Sequence, residues 1–399
     1  MPELTRAVPT APAPPRAPRR ERVTTALRAA APALQAYAAV RLLGLLVLAA
    51  AAGVAGKDPH TLLSARWDSL WYARVATQGY GYEALTPDGA VHSNLAFFPL
   101  LPALERGISE ITPLSVPDAG LLVSWTASLV AAWGIYAVGA RLHGRRAGVL
   151  LAALWGAYPT AFVQSMAYTE TLFTALAAWA VYAVLTERWI AAGTLAVFAG
   201  LTRPSAVAVV AAIAIPAAVT LVRAYRGGSR PRELVREHGR MLLGVLLAPL
   251  GWLAYVLYVA VRNGSLFAYF EVQGQWGNGF DGGRALAGFV WQNLTTNVFA
   301  GLGLCAALAL VLWLLWLLVR QRQPLPVVVF TAAMVFVSLV GAGYFGSRPR
   351  LMMPAFPLLL PAALALVRLW RARAAAVLAA AAAASAAYGA FTLLGPGPP

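Results

Sequence analysis

"AGLLVSWTASLVAAWGIYAVGA", residues 119–140, runs for 22 positions without a charged side chain. At about 1.5 Å per residue a helix of this length reaches roughly 33 Å, enough to cross a hydrocarbon core about 30 Å thick. Working outward from it, ten further apolar runs follow the same logic. They lie at 33–56, 147–166, 169–186, 189–201, 204–222, 241–261, 296–319, 326–343, 351–368 and 374–394. Residues 189–222 are too long for one helix and tight for two, so a broken pair turning at "LTRPS" is expected there. The chain is read as an all-α polytopic integral membrane protein with about eleven transmembrane helices.

Composition agrees. Of 399 residues, 60% are hydrophobic and only 12% charged, too few charges to cover a soluble fold of this size. The single cysteine, Cys305, rules out an intrachain disulfide. Four scattered histidines offer no ligand-spaced pair, so the sequence implies no definite cofactor and leaves a divalent metal open but unsupported. The net charge of +16 comes almost wholly from arginine, Lys57 being the only lysine, which with the abundant alanine suggests a GC-rich bacterial source. Nucleic-acid binding is a poor account of that charge, because the bases sit in short tracts beside apolar runs.

The positive-inside rule explains the tracts better. With the amino terminus cytoplasmic, inner segments hold 21 bases and outer ones nine, while ten of the fifteen acids fall outside or at outer span ends. Residues 1–32, rich in Pro, Ala and Arg, read as a disordered basic cytoplasmic tail rather than a signal peptide. Residues 33–399 then form one transmembrane domain. Three segments face outward: a first loop at 57–118, residues 262–295, and the short "GSRPR" at 346–350.

A 62-residue loop is longer than any connection needs. Within it, "RWDSLWYARVATQGY" (66–80) places Trp67, Leu70, Trp71 and Val75 on one helical stripe, as an interfacial amphipathic helix would. Asp68 and Tyr72, four apart, share a neighbouring face. A carboxylate there has the chemistry of a general base; equally, Asp68 caps the helix or pairs with Arg66. Arg203 in "LTRPS" and Arg348 and Arg350 in "SRPR" run against the charge bias and need anionic partners. Those partners are either the outer acids or a lipid phosphate, whose oxygens suit guanidinium.

Other outer stretches carry weaker signals. "NLAFFPLLP" (94–102) reads as an interfacial anchor or as a rigid edge for an isoprenoid tail. "YPTAFVQSMAYTETLF" (158–173) turns between two spans and sets Glu170 at membrane depth, where a helix start also favours an acid. "QGQWGNGFDGG" (273–283) reads as a mobile glycine-rich loop whose Trp276 has a face on which a sugar can stack. It lacks the strand–helix context of a phosphate-binding loop.

Taken in order, "RWDSLWY…GY", "FFPLLP", "YPTAFVQSMAYTETLF", "LTRPS" and "SRPRLMMPAFPLLLP" resemble the PIG-V-like mannosyltransferases, within the GT-C glycosyltransferases. The motifs span residues 66 to 361. The resemblance implies a polyprenyl-phosphate-linked sugar donor and an acid in the first outer loop as catalytic base, here Asp68. Read from their own chemistry, Arg203, Arg348 and Arg350 are expected to hold the leaving phosphate, with Trp67, Tyr72, Glu170 and Trp276 in the pocket. Adjacent acids, as in protein O-mannosyltransferases, are absent, since Ser69 follows Asp68. The expected activity is inverting mannosyl transfer to an acceptor hydroxyl on the outer face, the acceptor being a lipid, glycan or protein. A lipid-sugar flippase or transporter is the first alternative, because broken helices line many transport paths. A non-catalytic membrane scaffold is the second.

Overall fold

The computed structural model describes residues 19–85 and 89–397. The chain opens with α1 (Arg19–Val54), a single long helix. The expected disordered tail thus ends at residue 18 at the latest; residues 19–32 continue the first helix, and residues 1–18 lie outside the described residues. The first loop holds α2 (Pro59–Ser64), α3 (Asp68–Gln78), a small hairpin of β1 (Glu83–Leu85) and β2 (Val91–Ser93), and α4 (Leu100–Ile111). The hairpin is antiparallel, with Ala84 opposite His92. Asp58 caps α2 by accepting from the His60 and Thr61 amides, and Pro59 begins the helix where its missing N–H costs nothing.

The helical body follows as α5 (Val116–His143), α6 (Arg145–Gly156), α7 (Glu170–Leu185), α8 (Trp189–Gly200), α9 (Val207–Arg226), α10 (Pro231–Leu247) and α11 (Leu250–Asn263). A second excursion holds α12 (Ala268–Gln275) and α13 (Arg284–Thr296). The chain ends with α14 (Val298–Arg320), α15 (Leu325–Val340), α16 (Arg348–Met352), α17 (Leu360–Val367) and α18 (Arg371–Leu394). α5 packs on α4, α6 and α7, while α1 lies against α6 and α18. Small residues permit the tightest crossings. A Cβ on Gly251 of α11 would sit 1.8 Å from the Val197 carbonyl of α8, so nothing larger than glycine fits there. Arg41, midway along α1, donates to the Gly156 carbonyl and to Ser165 Oγ at 2.9 Å.

Most expected apolar runs are helical, but not every one is long, and the run expected at 147–166 leaves the α-helix at Gly156 and continues as turns and a short 3-10 segment. Among the described residues, six helices are long and apolar enough to cross a membrane, or seven if one bent pair counts. α7, α8 and α15 are shorter apolar helices of 10–17 residues. The expected span at 351–368 is instead that bent pair, broken by 80°. Pro354, which has no backbone N–H to continue the helical hydrogen bonding, stands at the break. The physical reason for the shortfall is local. α7 begins at Glu170, α8 ends just before Arg203, and α15 ends just before the Arg348 segment. Helices stop where the charged residues gather, and irregular chain takes over.

α3 also differs from expectation. It starts at Asp68, and its buried positions are Ser69, Tyr72, Val75 and Ala76, whereas Leu70 is exposed. The helix packs against α4 and α5 with the Asp68–Tyr72 side, rather than lying on the Trp67–Leu70 stripe. The glycine-rich stretch 273–283, expected to be mobile, is tied down: Phe280 forms an antiparallel bridge with Gly341, and Ala342 N–H donates to the Gly279 carbonyl at 2.7 Å.

Candidate active site

Two acids and two arginines, drawn from four separate segments, meet beside α3. Asp68 Oδ2 lies 2.7 Å from Arg350 Nη1. The same Arg350 nitrogen is 3.8 Å from Glu170 Oε1, which in turn is 2.6 Å from Arg203 Nη1. The result is an alternating chain, Asp68–Arg350–Glu170–Arg203, formally neutral. Local sequence dictates each placement. Asp68 and Glu170 each open a helix, where the first-turn amides favour negative charge. Pro204 keeps Arg203 extended (φ −155°, ψ 149°), so its side chain leaves the helix axis and reaches Glu170. Arg350 sits on α16, the short helix before the Pro354 break.

Accessibility separates the acids. The Glu170 side chain is 1% exposed and that of Asp68 28%. Glu170, expected among the pocket-lining residues, is therefore sealed behind the arginines and serves them as counter-charge. Asp68 is the acid that an incoming molecule reaches. Its alternative partner, Arg66, does not touch it and turns to the end of α18, donating to the Leu393 and Gly395 carbonyls. Breaking a buried ion pair by removing one member costs about 3–5 kcal/mol, so the four charges stand or fall together.

Neutral groups hold the chain in place. Arg203 Nη1 also donates to Thr169 Oγ1 at 3.1 Å, and Thr169 Oγ1 shares a hydrogen bond of 3.1 Å with the Tyr72 hydroxyl. The Asp68 amide donates to the Tyr168 hydroxyl at 3.1 Å, and the Arg350 guanidinium lies 5.2 Å from the centre of the Tyr168 ring. Burial pushes the Tyr72 phenol well above its ordinary range, and the Asp68 carboxylate adds to the effect. Tyr72 is thus a neutral hydrogen-bonding group at any ordinary pH. Arg350 Nε is buried without a hydrogen-bond partner.

Arg348 does not join this chain. Its Nη1 donates to the Ser338 and Leu339 carbonyls and its Nη2 to the Gly341 carbonyl at 2.8 Å, which caps the end of α15. Of the three arginines expected to face a phosphate, Arg203 and Arg350 lie in the charged chain and Arg348 lies apart from it. Residues two apart on a helix point about 200° apart, so Arg348 and Arg350 cannot both face one site. Trp67 is likewise no pocket wall. It packs on the main core beneath Arg66, whose guanidinium is 4.0 Å from its ring centre.

Trp276 stands one layer out from the charges. Its ring meets Trp71 edge-on at 4.8 Å and stacks on His92 at 4.3 Å, while its Nε1 donates to the Ser93 carbonyl. Phe97 lies against both Trp71 and Tyr72, so an aromatic wall runs from the glycine-rich stretch to the charged chain. Trp71 lies three residues after Asp68, on its face of α3, and was placed on the wrong stripe by the sequence reading. Tyr168 and Thr169 were missed outright, although they directly precede Glu170 in "AYTETLF". Among the described residues, no three His, Cys, Asp or Glu side chains converge in a group able to hold a metal ion.

The fold is similar to that of solved structures of other proteins. ArnT from Cupriavidus metallidurans bound to undecaprenyl phosphate superposes with a TM-score of 0.53 at 14% identity, covering 90% of this chain and 62% of that one. The fold is GT-C-like. The same ArnT in its apo state gives a TM-score of 0.47 at 16% identity, covering 77% of this chain and 55% of that one. An Archaeoglobus fulgidus oligosaccharyltransferase, in complex with Zn and sulfate, gives 0.46 at 16% identity, covering 88% and 53%. The chain thus spans about three fifths of the ArnT molecule it matches. No protein-family model and no curated protein matches the sequence.

Proposed function

We propose that the protein is an inverting membrane glycosyltransferase that takes a sugar, mannose by its resemblance to PIG-V-like enzymes, from a polyprenyl-phosphate donor. The observation that carries this reading is the pairing of the accessible Asp68 carboxylate with Arg350 at 2.7 Å. A base and a phosphate-binding cation stand side by side, as displacement of a lipid phosphate requires. ArnT, the fold neighbour, is described bound to undecaprenyl phosphate, which suits a donor of that class.

In this mechanism the donor phosphate enters beside Arg350 and Arg203. Its oxygens compete for Arg350 and draw the guanidinium from Asp68. The base is released only when a donor is present, so the empty site does not waste its carboxylate. An acceptor hydroxyl then attacks the anomeric carbon while Asp68 takes its proton. The bond from that carbon to the phosphate oxygen breaks, the electron pair leaves with the polyprenyl phosphate, and the two arginines stabilise its growing charge. Attack opposite the leaving group inverts the anomeric centre. Glu170 keeps the arginines oriented, and Tyr72 holds Thr169 beneath them. The aromatic wall from Trp71 to Trp276 borders the acceptor side.

Residues 33–399 act as one transferase domain, with the amino terminus cytoplasmic and the site extracytoplasmic, consistent with the 21 bases on inner segments against nine outside. A lipid-borne sugar suits that side, where nucleotide sugars are scarce. A flippase would share the embedded arginines but has no use for a base. Counterflow of polyprenyl-phosphate-mannose in proteoliposomes separates the two. The transferase reading predicts cleavage of the sugar–phosphate bond once acceptor extract is added; movement of intact donor without cleavage would establish transport instead.

A further inference from the structure

The turn that delivers Asp68 to the site is built in an unusual way. Trp67, the residue before it, has φ +52° and ψ −119°, a left-handed conformation that a tryptophan does not adopt unless its surroundings impose it. The constraint comes from Arg66. Its backbone is locked to Ser69 by two reciprocal hydrogen bonds: Arg66 N–H donates to Ser69 Oγ at 2.8 Å, and Ser69 Oγ–H donates to the Arg66 carbonyl at 2.6 Å. Its guanidinium covers the Trp67 ring at 4.0 Å while both Nη atoms donate to carbonyls at the end of α18, those of Leu393 and Gly395.

The last carbonyls of a helix have no partner within it and carry partial negative charge. Here the first loop supplies all the cations: Arg66 takes Leu393 and Gly395, and Lys57 Nζ takes Leu394 between them at 2.7 Å. α18 contributes no residue to the charged chain, yet its end is the anchor against which the Asp68 turn is braced. Arg66 alone joins the anchor, the strained residue and the Ser69 lock. Lys57 reaches the same anchor from the other side of α2 and touches none of the turn.

We propose that Arg66 is a positioning residue for Asp68: by tying the strained Trp67 turn to the carboxyl end of α18, it holds the carboxylate in register with Arg350. This rests on the reading of Asp68 as the base. Misplacement of a reacting group by about 1 Å costs on the order of 100-fold in rate. Arg66→Ala in the purified full chain should therefore lower kcat by roughly 10- to 100-fold, with KM for the donor little changed because Arg203 and Arg350 are untouched. Arg66→Lys, able to reach one carbonyl, should recover part of the loss. Lys57→Ala should leave kcat near wild type.

An activity-independent measurement accompanies the kinetics. Amide exchange across residues 66–71, including the Asp68 amide held by Tyr168, should quicken in Arg66→Ala, with α4 and α5 unchanged. Wild-type kcat and unchanged exchange in Arg66→Ala would overturn the proposal. So would a loss of activity that only tracks loss of folded protein in both Arg66→Ala and Lys57→Ala. Asp68→Asn, assayed alongside, keeps the two claims apart. Full transfer by Asp68→Asn sinks the base assignment, whereas transfer lost in Asp68→Asn but normal in Arg66→Ala sinks the positioning role alone.

Discussion

Glu170→Gln perturbs the charged chain at its centre. Glu170 holds Arg203 at 2.6 Å and lies 3.8 Å from Arg350, with its side chain 1% exposed. Glutamine keeps the volume and one acceptor oxygen but removes the charge, leaving two arginines facing Asp68 alone. Removing one member of a buried pair costs about 3–5 kcal/mol, and the retained acceptor places this variant near about 3 kcal/mol. The sign reverses when an anion enters. A phosphate that no longer competes with Glu170 should bind more tightly than in the wild type. Both proteins gain from saturating ligand, so the gap closes by about 1.4 kcal/mol for each tenfold by which the variant binds more tightly. The assay is thermal unfolding of the detergent-solubilised protein over a titration of undecaprenyl phosphate. The variant should melt well below the wild type without ligand, approach it at saturation, and reach half-effect at a lower ligand concentration. An unchanged midpoint without ligand, together with unchanged affinity, would refute the view that Glu170 and phosphate compete for the same arginines.

Three further outcomes follow from neighbouring contacts. Arg348 and Arg350 should fail in different ways: Arg348→Ala loses three backbone hydrogen bonds and should cost about 3 kcal/mol of stability with undecaprenyl phosphate binding retained, whereas Arg350→Ala should abolish that binding; equal binding losses would contradict the separation. Glu105 on α4 is buried, and burial lifts its carboxyl well above the ordinary value. The folded chain therefore holds this proton more tightly than the unfolded one, so its stabilising contribution is complete at acid pH and is lost as pH rises towards the folded value. Glu105→Gln should gain stability relative to wild type as pH rises, read as thermal midpoints from pH 5 to 9; parallel curves would count against it. Tyr72→Phe removes one hydrogen bond to Thr169 and should lower stability by about 1 kcal/mol, with thermal unfolding as the check.

Much of this architecture was legible before the structure. Long runs with little or no charge locate the six helices that, among the described residues, are long and apolar enough to cross a membrane, and the bias of arginine away from the outer segments makes Arg203 and Arg350 conspicuous. Asp68 stands out because acids are rare and the first loop is long. What escaped was geometry decided by tertiary contacts. α3 starts at Asp68 and buries Tyr72, Val75 and Ala76, so the shared face of Asp68 and Tyr72 holds while Leu70 leaves the expected stripe. The true spacing, Asp68, Trp71, Tyr72 and Val75, is equally helical, and only packing against α4 and α5 chooses between the stripes. α7 and α8 end within a residue of their expected bounds and α15 three residues short of its own, so the brevity of these helices was itself legible. The division of labour between Arg348 and Arg350 was, in retrospect, available from their spacing of two.

The central claim is that Asp68 is the base of a lipid-phosphate-dependent sugar transfer. Its most direct test supplies radiolabelled polyprenyl-phosphate-mannose and a crude native extract to membranes containing wild-type or Asp68→Asn protein at equal levels. Label should pass to a new product in the wild type and not in the variant, whose undecaprenyl phosphate binding should persist because Arg203 and Arg350 remain. Equal transfer by both proteins would contradict the claim and move the base elsewhere in the site.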